Sequence, residues 1–186
     1  MTLLNHLLSR FFNPAIYPSV TLNEKDFILT VPLWNLSGKM VGYQQYSPLR
    51  GKERKENPKE MRYYTHVSKY GATKELAVWG LETLVDRTKP VFLCEGIFDA
   101  SRLHWYGLQA LSVLGNDPAH LEQWLGIMPF EFIACVQGDK ASMSLAKYST
   151  RTSIFLPYGE DVGSLTREMF TKLLQTVCVI TSDSLP

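Results

Sequence analysis

The stretch VFLCEGIFDA, Val91 to Ala100, decides the fold. A short apolar run ends on Glu95 and Gly96, and a second acid, Asp99, follows one helical turn after the first. Such a run, closed by glycine, reads as a fully buried strand, and DASRLHWYG after it reads as a helix ended by Gly107. The same alternation continues toward the C-terminus. ALSVLG is a strand, and DPAHLEQWLG is a helix with Asp117 as N-cap and Pro118 at its first position. FEFIACVQGD is a strand, ASMSLAKYS a short helix, SIFLP a strand, SLTREMFTKLL a helix, and VCVIT a candidate last strand. Strands alternating with helices predict an α/β fold: a parallel sheet covered on both faces, with its chemistry at the carboxyl ends of the strands.

Upstream the texture changes. KDFILTVPLW reads as a strand ending near Pro32, and NLSGKMVGYQQYSPL as a hairpin turning at SGK. RGKERKENPKEMR, Arg50 to Arg62, carries six basic and three acidic residues without apolar periodicity, so it reads as a loop or mobile arm. ELAVWGL then returns to an apolar segment. At the N-terminus, MTLLNHLLSRFF places Leu3, Leu4, Leu7, Leu8, Phe11 and Phe12 at helical spacing. The expected organisation is an amphipathic helix within residues 1–19, a β-rich region over 20–88 with its basic loop at 50–62, and an α/β domain over 89–186. Packing on its own domain is the simpler role for the helix, and docking to a partner the sharper one.

Composition excludes some functions. With 19 basic and 18 acidic residues the net charge is +1, so no global field draws the chain to nucleic acid or membrane, and any such binding needs a local patch. The first twelve residues are too polar for a secretory signal and no transmembrane run appears, so a cytoplasmic protein is expected. Cys94, Cys135 and Cys178 are widely spaced in apolar runs, which fits buried, reduced strand cysteines rather than a zinc ribbon.

Acids recur at the predicted strand ends. Glu95 follows VFLC with Asp99 one turn on, Asp139 follows FIACVQG, and Asp161 follows SIFLPYGE with Glu160 beside it. Carboxylates gathered on one edge repel and raise each other's pKa, and a hard divalent cation such as Mg²⁺ or Mn²⁺ relieves that cost. With phosphate bridging, two cations about 4 Å apart support in-line phosphoryl transfer. The alternative is that each acid is a separate helix cap or solvated loop residue.

These residues resemble the Toprim domain, the metal-binding α/β module of DnaG-type primases, topoisomerases and some nucleases. The pattern EGxxDA stands as EGIFDA (Glu95 to Ala100), DGDxAG as QGDKAS (Gln137 to Ser142), and lPxGxD as LPYGED (Leu156 to Asp161). Upstream, VPLWNLSGKMVGYQQY (Val31 to Tyr46) and RYYTHVSKYGATKELAVWGL (Arg62 to Leu81) resemble the stretches that open the catalytic core of DnaG-type primases, phage primases included. The resemblance implies a basic β-rich subdomain guiding single-stranded DNA and nucleotides over a metal site. It implies Glu95 as general acid/base or metal organiser with Asp99 beside it, and Asp139, Asp161 and Gln137 as ligands of Mg²⁺ or Mn²⁺. Arg62 and Lys74 would contact phosphates, with Arg50, Lys52, Arg54 and Lys55 of the basic loop in support.

Three positions depart from the pattern. Gln137 replaces an aspartate and removes one negative charge, Tyr46 replaces an arginine, and Ser142 replaces a glycine. A zinc-binding module, a Walker A motif and a helicase-binding region are all missing from the sequence, so a helicase or zinc-binding primase subunit on another chain is the expected partner. Three functions stay open: a reduced primase core, a weakened Toprim module that binds nucleic acid or a replication protein, and a Toprim nuclease. Tyr43, Tyr46, Tyr63, Tyr64 and Tyr70 near the basic loop offer stacking faces for bases or, more simply, core packing, and His66 and His104 stand alone.

Overall fold

The computed structural model describes residues 1–182 apart from 36, 54, 71–72, 75, 116–118 and 139–141. Two sheets form its frame. The first is antiparallel, in the order β1 (Thr21–Asn23), β2 (Ile28–Trp34), β3 (Met40–Tyr46), β4 (Tyr63–Val67). A two-residue hairpin follows, β5 (Lys69–Tyr70) and β6 (Thr73–Lys74). The second sheet is parallel, in the order β8 (Gln109–Ser112), β7 (Val91–Cys94), β9 (Phe132–Val136), β10 (Ile154–Phe155). Helices α1 (Leu3–Ser9), α2 (Ile97–Trp105), α3 (Glu122–Ile127) and α4 (Arg167–Ser182) pack around them. This is the mixed α/β fold the alternation predicts.

Both faces of the parallel sheet are buried, which explains its unbroken apolar strands. Phe92, Cys94, Ile133 and Cys135 point to one face, against α2, α4, α1 and the antiparallel sheet. Val91, Leu93, Phe132 and Ala134 point to the other, against Trp124 and Leu125 of α3. Cys94 and Cys135 are buried free thiols, as expected of strand cysteines.

The two sheets are joined by one short segment. The backbone of Val78 exchanges both hydrogen bonds with Trp34 of β2, at 3.0 Å each. The next residue, Trp79, exchanges both with Ser112 of β8, at 3.1 and 2.9 Å. The Trp79 side chain is fully buried against Phe12 and Tyr17.

Three expectations need correction. VCVIT is not a strand: it lies inside α4, where Phe170, Leu173 and Val177 continue one buried stripe, so Cys178 is a helix residue. A β-branched run has strand propensity, but tertiary packing of the amphipathic face prevails. β2 does not end at Pro32 but runs to Trp34. β1 pairs only with Ile28 to Thr30, so Pro32 sits where β2 is an edge and its missing N–H is tolerated. The 50–62 segment is not a free arm. Ser47 N–H donates to the Arg62 carbonyl, Arg62 N–H to Gly51, and the Arg50 Nη1 to Lys59, while Pro58–Glu60 forms one helical turn. α1 takes the simpler of its two expected roles: Leu3 and Leu7 are fully buried in its own fold, while Leu4 and Leu8 stay exposed. The expected cap at Asp117 and Pro118 lies outside the described residues. Among the described residues no helix is long and apolar enough to cross a membrane.

Candidate active site

The carboxyl ends of the parallel strands open into a cleft of about 410 Å³, roofed by one face of the antiparallel sheet. The floor comes from the turns after each strand: Glu95 to Asp99 after β7, Leu114 and Gly115 after β8, Gln137 after β9, and Asp161 after β10. Period-2 alternation builds the roof: Gln44 of β3 and Tyr63 and Thr65 of β4 line the cleft. Tyr43, Tyr64 and His66 pack together on the opposite face. A larger groove of about 610 Å³ lies between β10 and α4, but its lining is mostly apolar and holds none of the predicted site residues.

Glu95, Asp99, Gln137 and Asp161 therefore share one cavity. Asp99 is the most confined, at 6% exposure. Its Oδ2 accepts the Gly96 N–H at 3.0 Å, capping α2, and its Oδ1 accepts the Gly163 N–H at 2.8 Å. Asp99 is thus both the cap that its position suggests and a cleft residue. Burial, and after it the Asp161 carboxylate, push the Asp99 pKa up to about 7, which the two amide hydrogen bonds only partly offset. Gly163 keeps the acids together, because a β-carbon there would lie 3.3 Å from Oδ1 of both Asp99 and Asp161. Gly138 does the same for the neighbouring turn, where a β-carbon would fall 2.6 Å from the Tyr158 α-carbon.

The turn carrying Asp161 is held from two sides. Ser164 N–H donates to Asp161 Oδ1 at 2.7 Å, and the Ser164 hydroxyl donates to Glu160 Oε2 at 2.7 Å. Glu160 thus braces the turn and is not among the cleft-lining residues. From beneath, Nη1 of the buried Arg102 donates to the carbonyls of Val162, Gly163 and Leu165, at 3.1, 3.2 and 2.7 Å. The Arg102 guanidinium lies between the rings of Phe11 and Phe170, at 4.4 and 4.3 Å.

Among the described residues, Lys52 is the one predicted phosphate contact that lines the cleft. Arg62 Nε donates to the Arg50 carbonyl at 2.9 Å and Arg50 to Lys59, so both arginines serve the loop's own closure. Lys55 is exposed outside the cleft lining. Arg54, the Lys74 side chain and Asp139 lie outside the described residues. Tyr46, at 3% exposure, is a core residue packed edge-on against Phe98 at 4.7 Å, so base stacking on it is blocked. His104 is buried as a core histidine. Its Nε2 must donate to the Ala110 carbonyl at 2.9 Å, so Nδ1 accepts the Tyr17 hydroxyl at 2.8 Å.

Sequence reasoning missed Arg10. It follows α1, lines the cleft, and lays its guanidinium 3.6 Å from the centre of the Phe98 ring. Nothing local signals this, because its hydrogen-bonding partners Tyr46 and Tyr63 lie 36 and 53 residues away.

Glu95, Gln137 and Asp161 present oxygen donors of the kind a hard cation takes. Among the described residues no three acidic, histidine or cysteine side chains group tightly enough to hold a metal ion. The described donors, two carboxylates and one amide oxygen, suit a Mg²⁺ or Mn²⁺ that keeps part of its hydration shell.

No protein-family model matches the sequence, and no curated protein matches it. Solved structures do. The chain is similar to the E. coli primase catalytic core at 20% identity and a TM-score of 0.56, covering 94% of this chain and 63% of that one. It is also similar to a DnaG primase catalytic domain bound to single-stranded DNA, at 18% and 0.56, covering 98% and 65%. The primase fragment of the bacteriophage T7 primase-helicase matches at 12% and 0.57, covering 85% and 64%. The chain spans less than two thirds of the length of each. At these identities the likeness shows the fold, that of a primase catalytic core.

Proposed function

We propose that this chain is a primase-type core that joins ribonucleotides on single-stranded DNA. The observation that carries the reading is the single cleft that Glu95, Asp99, Gln137 and Asp161 line together with Arg10 and Lys52. In the reaction, the 3′ hydroxyl of one nucleotide attacks the α-phosphorus of the next. The bond to the β-phosphate breaks, pyrophosphate leaves, and the hydroxyl proton passes to Glu95. Glu95 and Asp161 would hold Mg²⁺ or Mn²⁺, with Gln137 adding a neutral oxygen, and the cation would offset phosphate charge. Asp99 orients the α2 start and the Gly163 turn, so that Glu95 and Asp161 face one volume. The cations of the cleft attract the template backbone, and a helicase or zinc-binding subunit on another chain supplies start-site selection.

The neutral Gln137 favours a second reading, a binding module with weakened chemistry. One experiment separates them: primer synthesis on a mixed panel of single-stranded templates with Mg²⁺ or Mn²⁺. Product formation that Glu95→Gln abolishes supports the enzyme. No product, from either the natural chain or a Gln137→Asp/Tyr46→Arg double variant, removes the enzyme reading. Salt-sensitive single-strand binding that persists in Glu95→Gln then identifies the binding module.

A further inference from the structure

Cys94 and Cys135 stand side by side on neighbouring strands. β7 and β9 run parallel in the register Val91 with Phe132, Phe92 with Ile133 and Leu93 with Ala134. One further step in that register sets Cys94, the last residue of β7, beside Cys135 of β9. Side chains alternate between the faces of a sheet, so cross-strand neighbours point the same way. Both cysteines accordingly enter the same buried cluster. Their thiols hydrogen-bond to each other, and neither is in a disulfide. Burial alone is ordinary for a free cysteine. The cross-strand register is what makes this pair a site.

Neighbouring strands lie about 4.8 Å apart. That separation falls within the roughly 4.4–6.8 Å between α-carbons that a disulfide spans. Closing the bond therefore needs side-chain rotation and a small approach of the β-carbons, without rearrangement of the sheet. The pair is covered yet close to the cleft. Cys94 is 1% and Cys135 2% exposed. Glu95 directly follows Cys94, Gln137 comes two residues after Cys135, and both line the cleft. Hydrogen peroxide, little larger than water, has only the cleft floor to cross. Apolar burial makes such thiols slow to react, so the pair answers sustained rather than brief oxidation.

We propose that Cys94 and Cys135 form a redox-modification site, a dithiol that hydrogen peroxide closes into a reversible disulfide between β7 and β9. The peroxide takes two electrons from one thiol, giving a sulfenic acid and one water. The second thiol attacks that sulfur, the S–S bond forms, and the sulfenic oxygen leaves as a second water. A dithiol reductant returns the two electrons and two protons by exchange and is itself left as a disulfide. The closed bond ties together the strand ends that present Glu95 and Gln137. The site rests on the parallel sheet and not on the primase reading.

The test exposes the folded natural chain to excess hydrogen peroxide, alkylates the remaining thiols in urea, and maps linked peptides by mass spectrometry. Circular dichroism before and after reports the fold. The expected product, in most of the chain, is a Cys94–Cys135 link with the fold unchanged and both thiols recovered by dithiothreitol. Cys135→Ala, which keeps a small apolar side chain, should give no disulfide at Cys94. Thiols at Cys94 and Cys135 that survive a dose oxidising a free cysteine peptide overturn the site. So does oxidation that stops at single sulfinic acids, a link from either residue to Cys178, or a Cys94–Cys135 link that forms only when urea is present during oxidation.

Discussion

The floor and the roof of the cleft are built by different rules. On the floor, the acids sit in the turns after the strands or the first turn of α2, and their positions are set by backbone: Asp99 by two amides, Asp161 by its own serine turn. Between floor and roof, the Arg10 cation is placed by aromatic side chains from distant elements, Phe98 below and Tyr46 and Tyr63 above. The difference teaches where each kind of charge belongs. A buried carboxylate needs donors, which strand-end turns supply from local N–H groups. A cleft-facing guanidinium can rest on ring faces and keep its donors for a ligand.

The largest expected effect tests the floor alone. Glu95→Gln should lower primer synthesis about a hundredfold or more while leaving single-strand affinity within about twofold. Comparable loss of both in a fluorescence titration would show that floor and roof are not separable.

Next comes the brace beneath the floor. Arg102→Met keeps the packing between Phe11 and Phe170 but leaves the carbonyls of Val162, Gly163 and Leu165 without their donor. A loss of about 3 kcal/mol is expected in urea unfolding. Added Mn²⁺ should restore less stability to this variant than to the natural chain, because the turn under Asp161 is loosened.

A third effect is in pH, measured with a chelator present. Asp99 titrates near 7 when folded and near 3.8 when unfolded, so the folded chain holds the extra proton between those values. Its contribution is complete below about pH 3.8 and is lost as pH rises through 7. His104, lowered to about 4 by burial, works in the opposite sense: its contribution is complete above 6.5 and is lost as pH falls through 4. The two slopes oppose each other over the shared window. Asp99→Asn should therefore expose the His104 slope, with the urea midpoint rising from pH 4 to 6.5. A midpoint that still falls with pH in that variant would remove the buried acid from the account.

The smallest effect sharpens the roof. Tyr46→Phe removes one hydroxyl from Nη1 of Arg10 and from His6. Affinity for single-stranded DNA should fall about two- to fivefold, with stability changed by about 1 kcal/mol. The salt slope should be unchanged, since no charge is removed.

These contrasts also explain what the sequence could disclose. The floor was legible because an acid near a glycine at the end of an apolar strand is a local pattern, seen at Glu95 after β7 and Asp161 after β10, and both buried faces of the parallel sheet appear as unbroken apolar runs. The roof was only half legible. The hairpin carrying Tyr46 was readable from its turn, but two of the basic residues that looked like ligands, Arg50 and Arg62, bond to the loop's own carbonyls. Arg10 was invisible because ring contacts across the fold leave no spacing to detect. VCVIT misled because β-branched composition spoke louder than the Phe170, Leu173, Val177 stripe it continues.

The doubly bonded segment at Val78 and Trp79 has a consequence for biogenesis. At usual elongation speeds, Ser112 leaves the ribosome roughly 4–16 s after Trp34. Until it does, the nascent hairpin has no second sheet to dock on, and the Trp79 indole has only part of its final cover. The cleft waits longer still, because its floor also needs Gln137 and Asp161, which are made after Ser112, and a stalled nascent chain ending before Ser112 would present that indole to chaperones.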